Sequence, residues 1–105
     1  MAYFLVLLHP VAGSTDPPDH EPFVDSLVAR NLVLLGGDLV PSAGGAEAAY
    51  VLSCASLEDA RKLVAEDPLV SSSSMRAEIV EWELVGVNPR AIEPSLHLVP
   101  DDVRP

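Results

Sequence analysis

Five residues in this chain have side chains suited to acid–base chemistry on a small molecule: His9, His20, Asp38, Asp67 and Arg76. A histidine beside a carboxylate has its ring orientation and tautomer set by that partner, while its other ring nitrogen stays free to exchange a proton. A neutral His20 can take a proton from a carbon or a hydroxyl, and the resulting imidazolium can return it elsewhere. Arg76 can hold a substrate carboxylate or phenolate. The set suits an isomerisation, an elimination or a ring closure, chemistry that calls for no cofactor and no metal. Each residue also has an ordinary reading. His20 can be a solvated first-turn residue, Asp67 before Pro68 a helix-ending turn residue, and His9 before Pro10 a loop histidine. Asp38 can be a solvent-facing strand residue, and Arg76 the partner of a nearby acid such as Glu78.

The elements that must position these residues can be read from the hydrophobic pattern. AYFLVLL, residues 2–8, is a strand rich in Tyr, Phe and Val and apolar on both faces, so both faces need cover. A turn-rich loop from Pro10 to Pro18 follows. Phe23, Val24, Leu27 and Val28 then recur at helical spacing within 20–30, with Pro22 in the first turn and Asn31 at the left-handed stop. Residues 32–41 read as a second strand in which Gly36–Gly37 marks a bulge or the close approach of another backbone. Ser42 to Glu47 is a hairpin loop and residues 48–55 a third strand. Ser56 caps a second helix with Asp59 at the capping-box position, a buried stripe of Leu57, Ala60, Leu63 and Val64, and an outward Glu58–Lys62 pair. Asp67–Pro68 stops it. After a serine-rich turn, residues 75–85 alternate as the last strand.

The order βαββαβ with right-handed crossovers gives a ferredoxin-like α+β fold: a four-stranded antiparallel sheet carrying both helices on one face. The other face is left bare, and an apolar bare face on a small domain is most simply closed by a second copy, a homodimer. In this alternating arrangement His9, His20, Asp67 and Arg76 are expected at one rim of the sheet, with Asp38 on a strand running toward it. Residues 1–87 form the folded domain, and the proline-rich 88–105 a tail.

Composition narrows the partners. Sixteen Asp and Glu against six Lys and Arg give a net charge of −10, and a nucleic-acid or anionic-membrane surface needs clustered basic residues instead. No stretch approaches the ~20 apolar residues of a membrane span. Cys54, the single cysteine, has no internal partner and reads as a buried small hydrophobe, which fits a reducing cytoplasm. Five arginines against one lysine, with abundant Ala and Val, suggest a bacterial source. Tyr3 and Trp82 can line an aromatic pocket, though core or dimer packing is their ordinary use. Asp16, Asp19, His20 and Glu21 offer metal-type ligands without the spacing of a known site.

The chain also resembles the YCII-related (YciI-like) family of dimeric α+β barrel proteins. The resemblance runs from His20 through LLGGDL (34–39) and SLEDARKLVAEDPLV (56–70) to IVEW (79–82), and so covers about residues 3–86. It implies a homodimer and a site built on His20 and Asp67. It also implies cofactor-independent chemistry on small, often chlorinated or hydroxylated aromatic-derived molecules. The chain departs from the family pattern at Gly36-Gly37-Asp38, where Ala-Gly-Pro is usual, and at Leu69, where an aromatic is usual. Two readings follow: a lyase, isomerase or cyclase working through a His–Asp pair, or a non-catalytic homodimeric ligand-binding or accessory protein.

Overall fold

The computed structural model describes residues 1–13, 19–43 and 45–92. Strand β1 spans Ala2–Pro10, helix α1 Glu21–Ala29, β2 Val33–Ala43, β3 Ala46–Cys54, α2 Leu57–Ala65, the short α3 Pro68–Ser71 and β4 Met75–Glu81. The strands form one antiparallel sheet in the order β2-β3-β1-β4. This is the ferredoxin-like α+β arrangement expected from the βαββαβ order, with one extra helical turn after α2.

Period-two alternation sends Phe4, Val6 and Leu8 of β1 to one face of the sheet. There they join Tyr50 and Leu52 of β3, Leu27 of α1 and Ala60 and Val64 of α2 in one buried cluster, so both helices cover the same face. Fully burying each large apolar side chain of this kind stabilises the fold by about 1.5–3 kcal/mol. Helix α1 has Pro22 in its first turn and ends at Ala29; Arg30 is its C-cap, and Asn31 just beyond takes a left-handed φ of 59°. Ser56 caps α2 by accepting a hydrogen bond from the Asp59 N–H at 3.1 Å, and Lys62 lies 3.6 Å from Glu58.

Four details differ from the sequence expectation, each for a local reason. The hairpin between β2 and β3 is tighter than residues 42–47: Ala43 pairs with Ala46, and Gly45 takes a φ of 85°, while Gly44 lies outside the described residues. Leu57 is not buried but 37% exposed, being the first residue of α2 and ahead of the turns that meet the sheet. Pro68 ends α2 but also begins α3, because its fixed φ suits a first helical position and Asp67 caps it. Strand β4 stops at Glu81 rather than Val85. Its partner β1 runs out there: Phe4 pairs with Glu81, and Trp82 N–H donates a last bond to the Tyr3 carbonyl at 2.8 Å.

The opposite face carries Tyr3, Leu5 and Leu7 of β1 beside Val51 of β3, Leu35 of β2 and Val80 of β4. Leu35 and Val80 remain 59% and 44% exposed. Of the expected tail, Pro89–Ala91 forms a single 3-10 turn, and residues 93–105 lie outside the described residues.

Candidate active site

His20 is the residue from which α1 starts, and Asp67 sits at the junction of α2 and α3. Although 47 positions apart, they meet: His20 Nε2 lies 2.8 Å from Asp67 Oδ2. The Asp67 side chain is fully buried, and the His20 side chain is 20% exposed. Two further donors converge on the same carboxylate. The Tyr50 hydroxyl donates to Oδ2 at 3.0 Å, and the Leu69 N–H donates to Oδ1 at 2.9 Å. A buried carboxylate is costly unless its lone pairs are filled, and three partners fill them here. The His20 ring is flanked by the Tyr50 ring, with centroids 5.9 Å apart, and the Phe23 ring at 6.1 Å.

Tyr50 is held where it is by Gly36. The two residues face each other across β2 and β3, and a Cβ on Gly36 would lie 2.7 Å from the Tyr50 Cβ, a distance that no side chain tolerates. The close approach expected at Gly36–Gly37 therefore falls on Gly36, with a register shift between Val33 and Leu35 just before it. Burial pushes the Tyr50 phenol well above the ordinary tyrosine range, and the charge of Asp67 and the hydrogen bond to it push in the same direction.

His20 and Tyr50 line a cavity of about 760 Å³ between α1 and the β2–β3 edge of the sheet. Val24 and Val28 of α1 form one wall, Gly36, Asp38 and Ala48 the floor, and Ala91–Ile92 a flank. Asp67 is not among the lining residues: it stands behind His20. Asp38 faces the same side of the sheet as Tyr50, because it pairs with Ala48 of the core face. Charged residues described along the wall are the carboxylates Asp19, Glu21, Asp25 and Asp38, with no Lys or Arg among them.

The structure thus brings His20, Asp67 and Asp38 to one region and separates His9 and Arg76 from them. The expected meeting of all four rim residues neglected the strand alternation. His9 follows Leu8 and so points to the face without helices, where it pairs in register with Arg76 and lies 2.9 Å from Glu78 Oε1. Arg76 shares that face and cannot reach a ligand beside His20 within this subunit. Tyr3 and Trp82 are likewise outside the cavity lining. Cys54 is buried, its thiol raised chiefly by that burial and placed 3.5 Å from the Ser56 carbonyl, as suits a small hydrophobe. Of the candidate metal ligands Asp16 lies outside the described residues, and no group of three His, Cys, Asp or Glu among the described residues could hold a metal ion. Tyr50 is the residue that sequence reasoning missed. Its signal was its place between Ala48 and Leu52 on the core-facing side of β3, where a buried hydroxyl requires a polar partner.

A histidine backed by a buried carboxylate and opening on a cavity beneath a ferredoxin-like sheet defines a small α+β protein with a ligand-sized site among its described residues. Comparison with known proteins narrows this. No family model matches the chain. Uncharacterized protein YjpA of Bacillus subtilis (strain 168) is 38% identical over 65 residues, covering 62% of this chain and 73% of YjpA. The chain belongs to the same family as YjpA. Among solved structures, 5-chloro-2-hydroxyhydroquinone dehydrochlorinase (TftG) from Burkholderia phenoliruptrix AC1100, in complex with 2,5-dihydroxybenzoquinone, superposes with a TM-score of 0.60. That match is 14% identical and covers 77% of this chain and 93% of TftG, a likeness of fold. The match to YjpA carries the family relationship, and the match to TftG carries the fold. Among the described residues no helix is long and apolar enough to cross a membrane.

Proposed function

We propose that this chain is a small-molecule enzyme, a lyase, isomerase or cyclase that needs no cofactor and moves a proton with His20 while Asp67 orients the ring. The observation that carries this reading is the buried Asp67 carboxylate 2.8 Å behind a histidine that lines a cavity of about 760 Å³. A solvated first-turn histidine would have no such partner. Cavities of roughly 300–1,000 Å³ hold small-molecule ligands. In an elimination, His20 takes a proton from the substrate, the freed electron pair forms a new double bond, and the leaving group departs with its own pair. The charge that develops on the ring lies against Asp67. The dehydrochlorinase of similar fold, bound to a quinone, makes hydroxylated or halogenated rings the first substrate class to try. The wall carries Asp38, Asp19 and Glu21 without a described basic partner, so neutral ring compounds fit it better than aromatic carboxylates.

The enzyme acts as a homodimer in this reading, its copies closing the apolar patch around Leu5, Leu35 and Val80. The test is a panel of neutral chlorinated hydroquinones and size-matched aromatic carboxylates, followed by halide release and by ligand-induced protection. Turnover of a neutral member lost in both His20→Ala and Asp67→Asn supports the proposal. Turnover that survives both changes overturns it. Ligand binding without turnover of any member, unaffected by His20→Ala, would favour the non-catalytic binding or accessory protein instead.

A further inference from the structure

We propose that Tyr50 is a positioning residue whose hydroxyl fixes the direction of the Asp67–His20 hydrogen bond, so that Nε2 carries the ring proton and Nδ1 is the nitrogen that accepts one from a ligand. The inference rests on the acid–base reading of His20 and adds to it the residue that selects the working tautomer.

A buried phenol must donate its proton to something, and among the described residues the partner of the Tyr50 hydroxyl is Asp67 Oδ2 at 3.0 Å. The Leu69 N–H, which can only donate, occupies Oδ1 at 2.9 Å. Both oxygens of Asp67 are therefore already acceptors. The 2.8 Å contact with His20 then has its proton on Nε2, and the neutral ring keeps its lone pair on Nδ1. Were Asp67 to carry a proton and donate it to His20, the polarity would reverse and Nδ1 would hold a hydrogen, useless as a base. Tyr50 opposes that reversal because its hydroxyl would compete for the same oxygen. The direction of the Tyr50 shift agrees: its phenol stays protonated where free tyrosine ionises, so it remains a donor. Gly36 completes the arrangement, since its missing Cβ is what allows Tyr50 to sit against β2.

The experiment reads ring protonation directly. The full chain is labelled with 15N, and long-range proton–nitrogen spectra resolve Nδ1 and Nε2 of the histidines roughly two pH units above the ordinary histidine pKa. His20 in the unsubstituted protein is expected as the Nε2–H form. In Tyr50→Phe, which keeps the buried ring, the ratio of Nε2–H to Nδ1–H is expected to fall roughly tenfold, the effect of one hydrogen bond to a charged acceptor, while His9 is unchanged. An unchanged His20 ratio in the folded variant overturns the proposal, and so does an Nδ1–H ring in the unsubstituted protein. If Tyr50→Phe does not fold, fluorotyrosine incorporation keeps the ring and alters the hydroxyl's donor strength. Movement of the His20 Nε2 resonance then supports the role, and a fixed resonance overturns it. The outcomes separate the two claims. Turnover unaffected by His20→Ala removes the acid–base reading and leaves the tautomer result standing. An unchanged tautomer in Tyr50→Phe beside His20-dependent turnover removes only Tyr50.

Discussion

Two histidine–carboxylate pairs of nearly equal length lie on opposite faces of one sheet. His20 and Asp67 are 2.8 Å apart beneath the helices; His9 and Glu78 are 2.9 Å apart on the face without them. Their surroundings differ. Asp67 is fully buried and accepts from Tyr50 and Leu69 as well, whereas Glu78 is 49% exposed. Distance alone therefore says little about what a pair does. In water a pair at contact contributes between nothing and about 1 kcal/mol, because solvent competes for both partners. A buried pair has lost that solvent, so removing one member strands the others. The inner pair opens on a cavity and the outer one on the sheet surface, which is why the proposed acid–base role falls to His20.

The largest effect expected from this contrast is that of Asp67→Ala. It leaves His20 Nε2, the Tyr50 hydroxyl and the Leu69 N–H without their acceptor. The expected cost is about 3–5 kcal/mol in urea unfolding, a large part of the 5–15 kcal/mol that typically holds a domain folded. A loss below about 1 kcal/mol would erase the distinction between the two faces. Gly36→Ala comes next, at about 1–3 kcal/mol, because the new Cβ meets the Tyr50 Cβ at 2.7 Å. Gly37→Ala is its control: nothing lies within 4 Å of a Cβ there, and the cost should fall below that of Gly36→Ala by at least about 1 kcal/mol. Equal costs would mean that the close approach of β2 to Tyr50 does not constrain the site.

The contrast also explains what could be read in the sequence. Strand and helix positions followed from the spacing of apolar residues, and βαββαβ order left one sheet topology. Asp67 and His20 were legible because a crossover fold brings the start of α1 near the end of α2. His9 and Arg76 were misplaced by the same argument, since ends of elements fix a rim but only side-chain alternation fixes a face. The step from Leu8, fully buried, to His9, beyond it in register, turns the side chain through the sheet. Tyr50 was hidden for another reason. Its core-facing place in AEAAYVLSC signals that the hydroxyl needs a partner but does not say which, because that partner is 17 residues away at a turn whose short helix was not foreseen.

A smaller effect is expected of Tyr50→Phe, about 1 kcal/mol near neutral pH for the lost hydrogen bond, and its pH dependence is more telling than its size. The folded-state pKa of Tyr50 lies above its unfolded value. The protonated phenol is thus retained in the folded protein while the unfolded chain ionises above about pH 10. The stabilisation is fully present below that unfolded value and is lost as pH rises through the folded one. Urea midpoints of the unsubstituted protein should therefore fall above about pH 10 more steeply than those of Tyr50→Phe. Parallel curves would mean that the Tyr50 hydroxyl is not held by Asp67.

The smallest effect is assigned to the outer pair. Glu78→Ala removes an acceptor that is half exposed from a histidine with a side-chain accessibility of 14%. Water can replace the carboxylate at His9, so the expected loss is below about 1 kcal/mol and shrinks further in high salt. The measurement is worth making at several protein concentrations. Glu78 lies beside the apolar patch of Leu5, Leu7 and Val80, which the proposed homodimer would cover. If the second copy also encloses the pair, its screening solvent is lost and the outer pair becomes like the inner one. A loss well above 2 kcal/mol that grows with protein concentration and resists salt would place His9 and Glu78 inside the subunit interface. A small, salt-sensitive and concentration-independent loss leaves them at its edge, and the contrast with His20 and Asp67 stands.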